Sequence, residues 1–162
     1  MCDINKNTRL KSVVVYKVCR KMHDGKYYAY FSGMEVKVGK VKNMPFYQRT
    51  EGHNNPFNIR YIFKGLDGEF KYNKNFNKNL LGRTSGFKLL KTAKLFMMMV
   101  SSGYSSSDNC FILKLQISGD IMQGTGQNVT RHQDISNSIV YAGTEILSIE
   151  VLKVENKNTW MK

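Results

Sequence analysis

The chain reads as an α+β protein: a mostly antiparallel sheet packed against one main helix, with long loops. Three observations predict this. One stretch alone, about 84–100, carries helical apolar spacing. Ser12–Arg20 and Cys110–Ser118 alternate with the period of strands, and Asp24-Gly25 stands between two strand-like runs where a tight turn would be needed.

Taken in order, residues 1–11 are polar and charged without period, and are expected to form a flexible arm. In Ser12–Arg20, Val13, Val15, Lys17 and Cys19 alternate with Val14, Tyr16, Val18 and Arg20, and both rows are apolar at first. That pattern suits a central strand covered on both faces near its start. Asp24-Gly25 favours positive φ and leads into the tyrosine-rich Lys26–Phe31, so the two strands form a hairpin. After Ser32-Gly33, the alternation of Met34, Val36 and Val38 with Glu35 and Lys37 predicts a half-exposed strand.

From Lys40 to Leu81 the texture is that of a long loop, broken by Pro45, Gly52, Pro56 and the Asn-rich run Asn73–Asn79. Its aromatics, from Phe46 to Phe76, argue for order. A short strand at Ile59–Phe63 and a turn at Leu66-Asp67-Gly68 are expected. The helix follows, with Phe87, Leu90, Ala93 and Leu95 on its apolar side. Lys88, Lys91 and Lys94 recur on an adjoining face, and Thr84 or Ser85 is placed as the N-cap. The serine-rich 101–109 segment reads as an exposed loop. Cys110–Ser118 is a strand with Phe111, Leu113, Leu115 and Ile117 toward the core, ended or bent by Gly119-Asp120. Gly124-Thr125-Gly126 and the polar run to Ser138 read as loop with a helical turn. The closing strands are Ile139–Ala142 and Glu145–Val154, the latter with a bulge near Ser148. Residues 12–155 thus make a single domain and 156–162 a polar tail.

With 25 Lys and Arg against 12 Asp and Glu, the formal net charge of the 162-residue chain is +13, which favours a polyanionic partner: nucleic acid, a nucleotide or an acidic protein. Cys2, Cys19 and Cys110 have neither zinc-site spacing nor the even count of a disulfide framework, and read as thiols in a reducing compartment. His23, His53 and His132 lie too far apart in sequence for a metal-ligand motif, so no metal or cofactor is expected. No stretch approaches the roughly 20 apolar residues of a membrane span, and no signal-peptide pattern opens the chain, so an intracellular protein without a membrane partner is expected. Gly124-Thr125-Gly126 lacks the spacing of a phosphate loop, and no Gly-x-Ser-x-Gly elbow occurs. The expected site is instead the helix start. There Arg83, Thr84 and Ser85 would meet an anion with hydroxyl, guanidinium and N–H donors, Lys88 and Lys91 would add charge, and Lys17 and Arg20 would join from the first strand.

The succession of Val15-Tyr16-Lys17-Val18-Cys19-Arg20, Gly86-Phe87-Lys88-Leu89-Leu90-Lys91-Thr92 with Ala93, Phe111-Ile112-Leu113-Lys114-Leu115 and Glu145-Ile146-Leu147-Ser148-Ile149 resembles a loose group of small phage and viral α+β proteins. Those carry a lysine-containing first strand, a Gly-Phe-His-x-Phe-type helix start and a closing Val-Leu-x-Ile strand; Lys88 stands where that pattern has histidine. The resemblance implies a non-enzymatic accessory protein of the host cytoplasm or virion, or a structural or interaction protein of the virion. More distantly, the order Arg20, Thr84 or Ser85, Glu145 resembles ADP-ribosyltransferases, whose sites combine Arg on an early strand, Ser or Thr on the strand before a helix, and Glu near the last strands. That resemblance implies an alternative catalytic set of Arg20, Ser85 and Glu145.

Overall fold

The two stretches of strongest alternation become the central strands of a sheet. In the computed structural model, which describes residues 3–30, 34–42, 62–64, 70–72, 78–80, 82–101, 110–126 and 132–152, they are β2 (Ser12–Lys21) and β8 (Cys110–Ser118). They pair antiparallel along their whole overlap, from Ser12↔Ser118 to Arg20↔Cys110. The other strands are β1 (Asp3–Asn7), β3 (Tyr27–Ala29), β4 (Gly39–Lys40), β5 (Ile62–Lys64), β6 (Phe70–Tyr72), β7 (Thr84–Phe87), β9 (Met122–Thr125), β10 (Ile139–Gly143) and β11 (Glu145–Leu152). Nine of them form one sheet in the order β1-β9-β10-β7-β2-β8-β11-β4, with β3 on β2, while β5 and β6 pair separately. Among the described residues the helices are α1 (Leu90–Ser101), α2 (Gln133–Ser136) and a short 3-10 turn at Lys78–Leu80. A mostly antiparallel sheet with few helices is an α+β arrangement.

Successive strand residues point to opposite sides, and β2 and β8 are covered on both faces at the Val18–Ile112 end but not near the start of β2 as expected, where Val14 and its partner Gln116 are exposed. On one face Val18, Ile112, Phe87, Val140 and Ala142 pack with Ala93, Phe96 and Met97 of α1. On the other, Val15, Cys19, Leu113, Leu115, Ile117 and Tyr141 form a second cluster with Val36 and Ile146. Ile112, Leu113, Leu115 and Ile117 are all fully buried. At about 1.5–3 kcal/mol for each such side chain relative to exposure, β8 is a main source of the burial that holds the sheet.

The sheet bends where β8 gives way to β9. Glu145 pairs with Ser118 and Ala142 with Met122, so the β8–β11 pair passes directly into the β9–β10 pair. Gly119 takes φ +75° at the bend, and a Cβ there would collide with the Thr144 hydroxyl. The amide of Thr144 donates to the Gly119 carbonyl at 2.9 Å. The bulge expected near Ser148 is present, as a register shift between Ile146 and Ser148.

Several expectations are corrected. The arm of residues 1–11 contains β1, an edge strand on β9 whose Ile4 is fully buried. Gly124 and Thr125 belong to β9 and not to a loop, since their backbone pairs with both β1 and β10. Met34–Val38 makes only an isolated bridge at Glu35 to Tyr28. The hairpin around Asp24-Gly25 is as expected, with the Gly25 amide donating to the Met22 carbonyl at 2.9 Å. The 66–68 turn, most of the 40–81 loop, the 102–109 loop and the 156–162 tail lie outside the described residues.

Candidate anion site

The helix does not begin at Thr84. Residues 84–87 form β7, which pairs through all four residues with β10 and at Phe87 with Tyr16 of β2. Gly86 is a poor helix former and Thr84 is β-branched, so local preference for helix is weak here and strand pairing prevails. The helix starts after Leu89, whose carbonyl accepts from the amides of Thr92 (3.2 Å) and Ala93 (3.3 Å). Neither Thr84 nor Ser85 caps it, and the expected anion site at its first turn is not assembled.

The residues proposed for that site have separate environments. Arg83 is spent on the fold. Its Nε donates to the Asp120 carbonyl at 3.1 Å, its Nη1 to the Asn79 carbonyl at 3.0 Å, and its Nη2 pairs with the Asp120 carboxylate. Thr84 is buried. Lys17 reaches across to β7 and donates from Nζ to the Ser85 carbonyl at 2.7 Å, a backbone acceptor left over where β7 parts from β2 beyond the Tyr16↔Phe87 pair. Lys88 and Lys91 are exposed.

Arg20 differs from all of these. It lies on the helix face, two residues beyond Val18, and its guanidinium carbon sits 4.3 Å from the centre of the Tyr30 ring. That ring is itself held edge-on by Phe96 of α1, at 6.2 Å between centroids. Arg20 Nε is sealed from water and has no hydrogen-bond acceptor, and no carboxylate pairs with the side chain among the described residues. A guanidinium over an aromatic face gains about 0.5–2 kcal/mol, but the ring does not satisfy its N–H donors. A buried donor left unpaired costs about 1–3 kcal/mol, and more in a charged group.

Tyr30 was not singled out in the sequence, although the hairpin register could have found it. Arg20 pairs with Tyr28, which puts Tyr30 one diagonal step away on the same face.

Ser85 also lies on the helix face, since it is the direct partner of Ala142. Glu145 does not come near Arg20. It pairs with Ser118, which pairs with Ser12, so it lies at the opposite end of β2 from Arg20. Eight residues of strand separate those ends, about 26 Å at the usual rise. The ordered set Arg20, Ser85, Glu145 therefore does not converge.

Among the described residues no group of three or more His, Cys, Asp or Glu is placed to hold a metal ion, and no helix is long and apolar enough to cross a membrane. No family model, curated protein or solved structure matches the chain.

Proposed function

We propose that the protein binds a phosphate-bearing partner, a nucleotide or nucleic acid, and that Arg20 grips its anionic group. The observation that carries this is the half-buried Arg20 guanidinium, held over the Tyr30 ring and paired with no carboxylate among the described residues. Because Nε is closed to solvent, a phosphate would approach through the terminal Nη groups of the guanidinium, and the net charge of +13 would favour that approach. Lys88 and Lys91 add charge from outside; Arg83, Thr84 and Lys17 hold the frame. The assignment to a phage or virus accessory factor, in the host cytoplasm or virion, rests on the sequence resemblance alone.

The test sets stability against binding. Arg20→Met keeps much of the aliphatic stem and removes the unpaired donor. It is expected to leave the unliganded protein equally stable or up to about 1 kcal/mol more stable. Binding of a nucleoside diphosphate, followed by calorimetry at low salt, should fall at least about tenfold, the loss of one charge-assisted contact. A variant that unfolds easily yet binds like the parent would make Arg20 a structural residue.

A transferase of the ADP-ribosyl type is the second reading. It is favoured by Arg20 and Ser85 sharing the helix face, and weakened by Glu145 lying at the other end of β2.

A further inference from the structure

The end of the sheet remote from Arg20 gathers exposed cations from chain segments far apart in sequence. Thr8 is tied to the bend by its amide and its hydroxyl, which donate to the Ile121 carbonyl at 3.2 and 2.7 Å. Arg9 and Lys11 therefore run over the bend before β2 starts at Ser12, opposite Ser118. From the other side, the amide of Val41 donates to the Thr144 carbonyl at 2.8 Å, and Lys40 pairs with Glu145 in register. That brings Lys40 and Lys42 to the same end. Arg9, Lys11, Lys40 and Lys42 are all exposed, and none of them forms an ion pair among the described residues. Two carboxylates lie nearby. Asp120 is paired with Arg83, and Glu145 offsets part of the charge beside Lys40.

We propose that this bent end docks on the phosphodiester backbone of duplex nucleic acid, with Arg9, Lys11, Lys40 and Lys42 as the contacts. Two observations favour a duplex over a single strand. No aromatic ring accompanies these cations among residues 8–12, 39–42, 118–121 and 143–145, so among the described residues this end offers charge without a platform on which unpaired bases would stack. The cations are also spread. Ser12, Ser118, Glu145 and Lys40 are successive neighbours across the sheet, three strand spacings or about 14 Å, comparable to the roughly 12 Å width of a major groove. Lysines on the two flanks can then reach phosphates on both sides of the groove. The contacts carry no base readout, so binding is independent of sequence. The surface is separate from Arg20 and does not rest on it.

The experiment measures binding of the full chain to a 20-base-pair duplex by fluorescence anisotropy, from about 50 to 200 mM salt. The variants are Arg9→Gln/Lys11→Gln/Lys40→Gln/Lys42→Gln, Lys88→Gln/Lys91→Gln, and Arg20→Met. With four phosphate contacts removed, the slope of log affinity against log salt should become shallower by about 3–4 in the quadruple variant. Affinity at the lowest salt should fall at least about 100-fold, with the melting temperature unchanged. The Lys88/Lys91 variant should lose less than about threefold, and Arg20→Met should retain duplex binding even where it loses the nucleoside diphosphate. Should the quadruple variant melt early, Lys11→Gln/Lys42→Gln replaces it, with a slope change of about 2. The proposal is overturned if the parent does not bind duplex at low salt, if it prefers a single strand of equal length, or if the quadruple variant keeps the parent's slope. It is also overturned if the Lys88/Lys91 variant loses as much. Loss of duplex binding by Arg20→Met alone would move the contact to the Arg20 site.

Discussion

At the scale of single residues, the buried groups of β2 are the most constrained. Cys19 is fully buried between its partners Ala29 of β3 and Phe111 of β8, and loss of hydration pushes its thiol from 9.0 up to about 12, against the smaller opposing effect of the Lys17 charge. The native thiol therefore stays protonated where an unfolded one ionises. Because the folded value is the higher, its contribution to stability is intact below about pH 9 and is lost as pH rises toward 12. Stability of the parent should fall between pH 9 and 11 more steeply than that of Cys19→Ala. The difference should approach about 1.4 kcal/mol per pH unit, read from urea unfolding at each pH. Parallel pH profiles would show that the Cys19 environment is open to water. The spacing of the cysteines predicted thiols outside any disulfide framework; the burial of Cys19 and Cys110, and the place of Arg20 against Tyr30, needed the sheet register.

At the scale of elements, what was legible followed period and turn chemistry. The strict alternation of Cys110–Ser118 and the Asp24-Gly25 turn located β8 and the β2–β3 hairpin, because both signals are local. The Thr84–Phe87 segment was misread since four residues are too few to show a period, and the helical spacing that follows ran on into them. What decides β7 is non-local. A Cβ on Gly86 would stand 2.9 Å from Val15 Cβ and 3.1 Å from the Tyr16 carbonyl oxygen, so only glycine lets β7 close against β2. This yields opposite signs for one substitution. In the first turn of a helix Gly86→Ala would stabilise by up to about 1 kcal/mol. In β7 it should destabilise by about 1–3 kcal/mol, because fully buried Val15 has no room to move. Chemical denaturation of that one variant distinguishes the two, and a gain in stability would restore the helix reading.

At the scale of the molecule, the candidate sites come from pairings that no local pattern carries: β1 on β9, β7 between β10 and β2, and the bend at Gly119. Arg83 shows how these are tied. One guanidinium joins the Asn79 carbonyl of the 3-10 turn to the carbonyl and carboxylate of Asp120 at the bend. Asn79 in turn donates from its side-chain amide to the Ile4 carbonyl of β1 at 2.7 Å. The edge strand, the turn, β7 and the bend thus share one cation. In the sequence Arg83 was a candidate to hold a ligand, because a cation beside hydroxyls before a helix has that chemistry wherever its partners are unknown. The competing roles differ in what each partner is worth. If Arg83 is a clamp, two of its three contacts are to carbonyls and survive removal of the Asp120 carboxylate. That carboxylate is largely exposed and contributes at most about 1 kcal/mol. Arg83→Ala should then cost about 2–3 kcal/mol, because it strands two backbone acceptors, whereas Asp120→Ala should cost about 1 kcal/mol or less. The double variant should fall close to Arg83→Ala alone, the mark of residues sharing one network. Equal costs for the two single variants would reduce the clamp to its ion pair. A harmless Arg83→Ala that abolished anion binding would return Arg83 to the ligand.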